Sequence, residues 1–158
     1  MTTALNGLKV LDFSTLLPGP FATMYLADMG AEVIHIESPS RPDLIRIMPP
    51  YANGQATAHS YLNRNKQSIV LDLKDAASID LIKAKISEFD IVIEQFRPDV
   101  MRRLGLDYAT LAEINPRLIY CSITGYGQTG SYKDRAGHDI NYLALAGIAG
   151  YSGRQDSG

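Results

Sequence analysis

The stretch LKVLDFSTLLPGPFATMYLADMGAEVIHIE, residues 8–37, decides the fold. Its opening, Leu8 to Ser14, is a short and mostly apolar run. Asn6-Gly7 bounds it on one side and Leu16-Leu17-Pro18-Gly19-Pro20 on the other, as expected of a buried strand between turns. Pro20 suits the first turn of a helix, and Phe21, Met24, Tyr25 and Met29 recur at helical spacing until Gly30 ends it. Glu32 to Glu37 reads as the next strand. Strand, short helix, strand is a βαβ unit, which joins parallel strands by a right-handed crossover.

Outward from this unit the alternation continues. Ser38 to Asn65 shows no persistent period and is punctuated by Pro39, Pro42, Pro49, Pro50 and Gly54, so it reads as a long irregular excursion of the kind that usually carries function. Gln67 to Leu73 is a third strand. Ala76 to Phe89 is a helix with Ile79, Ile82 and Ile86 on one face, and Asp90 to Glu94 is a fourth strand. Asp99 and Asp107 are placed to cap short helices over Val100–Leu104 and Tyr108–Ile114, before a fifth strand from Leu118 to Thr124. His138 to Ile148 is apolar enough to be a buried helix. The fold class is therefore α/β with a largely parallel, doubly wound sheet.

The composition fits one such domain over residues 1–158. The chain has 46% hydrophobic and 20% charged residues, with 13 Gly and 8 Pro, which excludes disorder. A formal charge of −2 removes the field expected of a nucleic-acid binder, so an anionic ligand must be met locally. The single Cys121 rules out an internal disulfide framework, and no Cys/His set has zinc spacing. No apolar run reaches transmembrane length and no targeting segment is visible, so a soluble, cytoplasmic protein with no membrane partner is the expectation.

Gly125-Tyr126-Gly127-Gln128-Thr129-Gly130 formally matches a dinucleotide fingerprint and follows a strand. It does not open an apolar helix, and its strand is the fifth rather than the first, so NAD is not expected. The Leu17-Pro18 turn lies at the carboxyl end of the first strand, where open α/β sheets bind ligands. His138 follows Gly137 and begins an apolar stretch. A helix N-terminus there disfavours the imidazolium and leaves a ring able to accept a proton, although a helix-capping histidine fits the position equally. His35 reads as sheet packing, His59 as a loop residue without a nearby partner, and Cys121 as core. Arg64, Lys66, Lys74, Arg97, Arg102 and Arg103 cluster near strand ends, which converge on one edge of a parallel sheet. Lys74 and Arg97 could thus jointly face an anion.

At these residues the chain resembles the N-terminal part of the class III CoA-transferase family, which includes formyl-CoA transferases and 2-methylacyl-CoA racemases. The resemblance runs through residues 7–39, NRNKQSIVLDLK at 63–74, residues 91–130, and AGHDINYLALAGI at 136–148. It implies a Rossmann-like half of a larger fold, an interlocked homodimer of full chains, and coenzyme A or acyl-CoA, with neither metal nor NAD. Position by position, it implies that Leu71, Asp72, Leu73 and Lys74 hold the adenine and 3′-phosphate end, with Gln95, Phe96, Arg97 and Arg103 alongside. Leu17 and Pro18 would flank the cofactor, and Gly137, His138, Asp139, Ile140, Asn141 and Tyr142 would run beside the thioester. Where the family often has Arg, this chain has Ser38, and Arg41 is the candidate to supply that charge. The GHDINY run resembles the racemase branch, in which the histidine is one of two bases exchanging an α-proton. The second group in the family is an aspartate in a Gly/Ala-rich context farther downstream; Asp156 lacks that context and reads as a loop residue. The resemblance thus implies a racemase, with CoA transfer between carboxylic acids or a non-catalytic CoA-binding module as the alternatives.

Overall fold

A computed structural model describes residues 3–153. One compact unit ends at Ile123 and a second begins at Thr124. The first contains five strands: β1 (Lys9–Asp12), β2 (Glu32–Glu37), β5 (Gln67–Val70), β6 (Ile91–Glu94) and β7 (Ile119–Ser122). Every pairing among them is parallel, and the order across the sheet is β5-β2-β1-β6-β7. The α/β reading and all five strands hold: β2 has the expected bounds and β6 the expected end, while β1, β5 and β7 end two or three residues early.

Alternation of side chains along β1 explains why the sheet is covered on both faces. Val10 points into a cluster with Val33, Ile93, Ala27 and Ala31, under α1 (Pro18–Asp28). Leu11 points the other way, into the larger cluster with Val92, Ile82, Ile86, Met101, Leu106 and Leu111. That second face is covered by α3 (Ala76–Lys85), α4 (Val100–Leu104) and α5 (Tyr108–Ile114). Asp75 caps α3 by accepting the Ala77 N–H at 3.1 Å. Buried Asn115, just past α5, donates to the Ile86 and Phe89 carbonyls at 3.1 and 2.8 Å and so ties α5 to the end of α3.

Several expectations need correction. Phe21, Tyr25 and Met29 are 40%, 53% and 45% exposed. The face that α1 buries is instead Gly19, Thr23 and Ala27, four residues apart, with Pro20 and Met24. Small residues let the helix lie close to the sheet, while Phe21 and Tyr25 stack edge to face outside it at 4.9 Å. Residues 38–65 are not irregular throughout. They hold a 3-10 turn (Leu44–Ile47), a hairpin of β3 (Tyr51–Ala52) and β4 (Gln55–Ala56), and α2 (Thr57–Leu62). Asn53-Gly54 turns that hairpin with both residues at positive φ, 53° and 76°. Cys121 is exposed rather than core, because β7 is an edge strand.

The second unit contains α6 (Asp139–Leu145) and a 3-10 turn (Ile148–Tyr151). The expected buried helix is not found: none of the residues of α6 is buried, and Ile140, Leu145 and Ile148 are 72%, 62% and 52% exposed. Asp156 lies outside the described residues.

Candidate functional site

The chain leaves β1 for β2 and β5 on one side, then returns to place β6 on the other. The carboxyl ends of β1 and β6 therefore flank the topological switch point, the crevice in which open α/β sheets bind ligands. The turn after β1, with Leu17 and Pro18, forms one wall. Gln95 and Phe96, directly after β6, form the other. Leu16 and Leu17 are 41% and 58% exposed, so the first wall presents apolar side chains to solvent.

Beneath that wall lies a buried polar cluster that sequence reasoning missed. Asp12, at the end of β1, is fully buried. One carboxylate oxygen accepts from the Ser14 N–H and hydroxyl, the other from the Thr23 hydroxyl at 2.6 Å. The Lys66 ammonium and His35 Nδ1 each stand 3.5 Å from Asp12 Oδ2. Burial alone would raise the Asp12 pKa, but His35, Ser14 and Thr23 outweigh it and hold the carboxyl below its usual range. Lys66 is itself buried, which lowers its pKa despite Asp12. It donates to the Pro20 carbonyl and to Asn63 Oδ1, both at 3.0 Å, and so ties the start of α1 to the segment entering β5. The visible signal was a charged residue closing an otherwise apolar strand, with an NRNK run far downstream.

The structure sorts the cations. Arg46 forms a two-point ion pair with Glu37, its Nε reaching Oε2 at 2.7 Å, and Ser68 also donates to that carboxylate. Arg46, helped by Ser68 against the cost of burial, brings the Glu37 pKa down to about 2. Arg64 pairs with Asp28 and lies over the Tyr61 ring at 4.5 Å. Arg102 pairs with Asp99. Lys74, Arg97, Arg103 and Arg41 are exposed and have no ion-pair partner among the described residues. The Arg41 N–H donates to the Ser38 hydroxyl at 3.2 Å, which places Arg41 on a tight bend after β2.

Lys74 and Arg97 do not share one strand end. β5 and β6 are three strand spacings apart, about 14 Å at the usual separation, with β2 and β1 between them. Leu71, Leu73, Phe96 and Leu104 nevertheless all pack on the same core cluster, so residues 71–74 and 96–104 lie on one face of the sheet. Asp72 Oδ1 accepts the Lys74 N–H at 3.0 Å and shapes that turn. Gln95 has its amide engaged on the facing turn. His59 lines a polar cavity of about 420 Å³ with Arg46, Gln55, Ser60 and Asn63, and burial together with Arg46 lowers its pKa.

In the second unit, packing accounts for Gly125, while Gly127 and Gly130 hold positive φ of 86° and 93°. A Cβ on Gly125 would enter the Tyr142 ring, and one on Gly137 would meet the Tyr126 hydroxyl and the same ring at 2.7 Å. Tyr126 and Tyr142 stack edge to face at 5.2 Å, and the Tyr142 hydroxyl donates to the Gly137 carbonyl at 2.7 Å. No helix opens at Gly130, and the next one starts at Asp139. His138 occupies the N-cap of α6 in extended conformation and forms a capping box with Asn141, whose Oδ1 accepts the His138 N–H at 2.9 Å. The Gly137–His138 peptide is thus held at both ends, its carbonyl by Tyr142 and its N–H by Asn141, while His138 itself is exposed.

Residues 5–158 match CoA-transferase family III, and the chain belongs to that family. It is 42% identical over 153 residues to human succinyl-CoA:glutarate CoA-transferase, covering 96% of this chain and 35% of that protein. It is also 42% identical to human alpha-methylacyl-CoA racemase, covering 96% of this chain and 36% of the racemase. Among solved structures it superposes on a CAIB/BAIF family protein from Brucella suis with a TM-score of 0.91 at 40% identity, covering 99% of this chain and 42% of that one. The chain thus spans little more than a third of the length of the curated relatives it matches.

Proposed function

We propose that this chain supplies the coenzyme A face and one proton-transfer base of a 2-methylacyl-CoA racemase. The observation that carries the reading is His138: an exposed imidazole whose preceding peptide is held at both its carbonyl and its N–H, by Tyr142 and Asn141. A base so held needs little reorganisation to meet a substrate proton.

In this reading the nucleotide end of CoA lies along Leu71–Lys74, Phe96, Arg97 and Arg103. Their unpaired cations meet its phosphates, and Leu17 and Pro18 flank the chain of the thioester. A ring nitrogen of His138 takes the α-proton. The C–H electron pair moves into the C–C bond and the carbonyl π pair onto oxygen, giving an enolate that backbone N–H groups can stabilise. Reprotonation on the opposite face by the family's downstream aspartate inverts the centre, and the reverse cycle restores both groups. No step consumes an oxidant or a metal.

A second reading is favoured by the equal 42% identity to a succinyl-CoA:glutarate CoA-transferase. There the downstream aspartate would act as nucleophile and His138 would take no proton. A full-length enzyme carrying this chain, incubated with a 2-methylacyl-CoA in deuterated water, separates the two. Racemase chemistry incorporates deuterium at the α-carbon without an acceptor acid. Transfer of CoA to a free carboxylic acid with no α-exchange would establish the transferase instead.

A further inference from the structure

The crevice between the ends of β1 and β6 is bridged by one side chain. Gln95 donates from Nε2 to the Thr15 carbonyl at 2.7 Å and accepts the Gly19 N–H on Oε1 at 3.1 Å. Thr15 and Gly19 begin and end the turn that carries Leu17 and Pro18. From the opposite side, Asp43 Oδ2 accepts the Leu16 N–H at 3.0 Å, while its Oδ1 accepts the Ile45 N–H at 3.1 Å and anchors the carboxylate to its own 3-10 turn. Asp43 is buried, so these bonds are shielded from water.

The turn needs such support. Leu16 has φ of 62°, in the left-handed region that is strained for a branched residue. Conformations of this kind persist only where the surroundings over-determine them. Here two residues remote in sequence, from separate segments, bind three backbone groups within five residues. The result is a wall of exposed Leu16 and Leu17 at the switch point, and the core gains nothing from that exposure.

We infer that Gln95 and Asp43 are positioning residues for the acyl-CoA site. They hold residues 15–19 in a strained, preformed shape so that Leu17 and Pro18 meet the ligand without further ordering. Gln95 acts through the turn and not by touching CoA. The inference rests on the reading that Leu17 and Pro18 flank the cofactor.

Amide hydrogen exchange on the ligand-free chain, read residue by residue by NMR, tests the support directly. Gln95→Ala speeds exchange at Gly19, and Asp43→Ala speeds it at Leu16, each by about fivefold or more for one lost hydrogen bond. Gln95→Glu keeps the acceptor for Gly19 but loses the donor to Thr15, so it leaves Gly19 protected and serves if the alanine variant folds poorly. Titration with CoA should show affinity falling about three- to tenfold in Gln95→Ala and Asp43→Ala. In the full-length enzyme the loss should appear in KM rather than kcat. Weakened CoA binding with unchanged Gly19 and Leu16 exchange would show that Gln95 touches the ligand and overturn the inference. Faster exchange with unchanged CoA affinity would overturn it as well, by removing the turn from the site. A wild-type chain that bound no CoA would defeat the site reading itself, while the amide rates would still decide what holds the turn.

Discussion

Gly19→Ala puts the packing at the start of α1 to a quantitative test. A Cβ at this position would overlap Ser14 Cβ and Oγ and stand 2.8 Å from Gln95 Oε1. Neither neighbour can yield cheaply. Both the N–H and the hydroxyl of Ser14 are held by Asp12, and Gln95 is tied to the Thr15 carbonyl. Relief therefore requires the first turn of α1 to move off the sheet. Overpacking of this kind costs about 1–3 kcal/mol, and loss of the Gly19 N–H bond to Gln95 adds about 1 kcal/mol. The better helix propensity of alanine returns up to about 1 kcal/mol. The net is about 1–3 kcal/mol, which for a chain of this size lowers Tm by about 2–12 °C. Thermal and urea unfolding followed by circular dichroism measures it. Gly150→Ala, where the added Cβ meets nothing within 4 Å, serves as control and should stay within about 0.5 kcal/mol. Adding Ser14→Gly to Gly19→Ala removes the obstructing atoms and should recover more than about 1 kcal/mol beyond additivity. A Gly19→Ala chain that melted with the wild type, or a double variant with no such coupling, would refute the reasoning.

Other predictions follow from the charges. Lys74→Ala or Arg103→Ala should weaken CoA by about 1.5–3 kcal/mol in calorimetric titration and dephospho-CoA much less, if the residue meets the 3′-phosphate; equal losses would move it off that phosphate. NAD should bind more weakly than CoA in the same titration, and the reverse order would remove the cofactor assignment. Glu37 has its pKa depressed to about 2, so its stabilisation is present above the unfolded value near 4.5 and is lost as pH falls toward 2. The full shift corresponds to about 3 kcal/mol, and with Arg46 42% exposed, screening reduces it to about 1–2 kcal/mol. Glu37→Gln should therefore lower stability at pH 7 and flatten its fall between pH 4.5 and 2, as urea midpoints at each pH would show.

How far the sequence could be read depended on whether the relevant partners were local. LKVLDFS and EVIHIE read as buried strands because strands covered on both faces are nearly continuous apolar runs, a property of the local sequence. The helix starts near Val100 and Tyr108 are equally local, although neither Asp99 nor Asp107, which occupy those N-cap positions, makes the expected side-chain cap hydrogen bond. The hairpin at Asn53-Gly54 was missed because each of its strands has only two residues, too few for a period. The aromatic spacing of α1 misled because its buried face is made of Gly, Thr and Ala, which carry little apolar signal. Exposure of Cys121 depends on strand order, which no window of sequence contains. At the site, the grouping of cations near strand ends was legible, but which of them stay unpaired was not, since Arg64 meets Asp28 36 residues away. The engagement of Gln95 lies further still from local view, its partners being 80 and 76 residues distant.

The central claim is that His138 serves one face of an acyl-CoA α-carbon, and the most direct test is the α-deuterium exchange of each 2-methylacyl-CoA enantiomer by full-length His138→Asn enzyme. Asparagine is a strong N-cap residue, so the start of α6 is kept while the base is removed. The account predicts that exchange falls about 10²–10⁴-fold for one enantiomer and far less for the other, because each face has its own base. Equal exchange rates for the two enantiomers, or rates at the wild-type level, would contradict it.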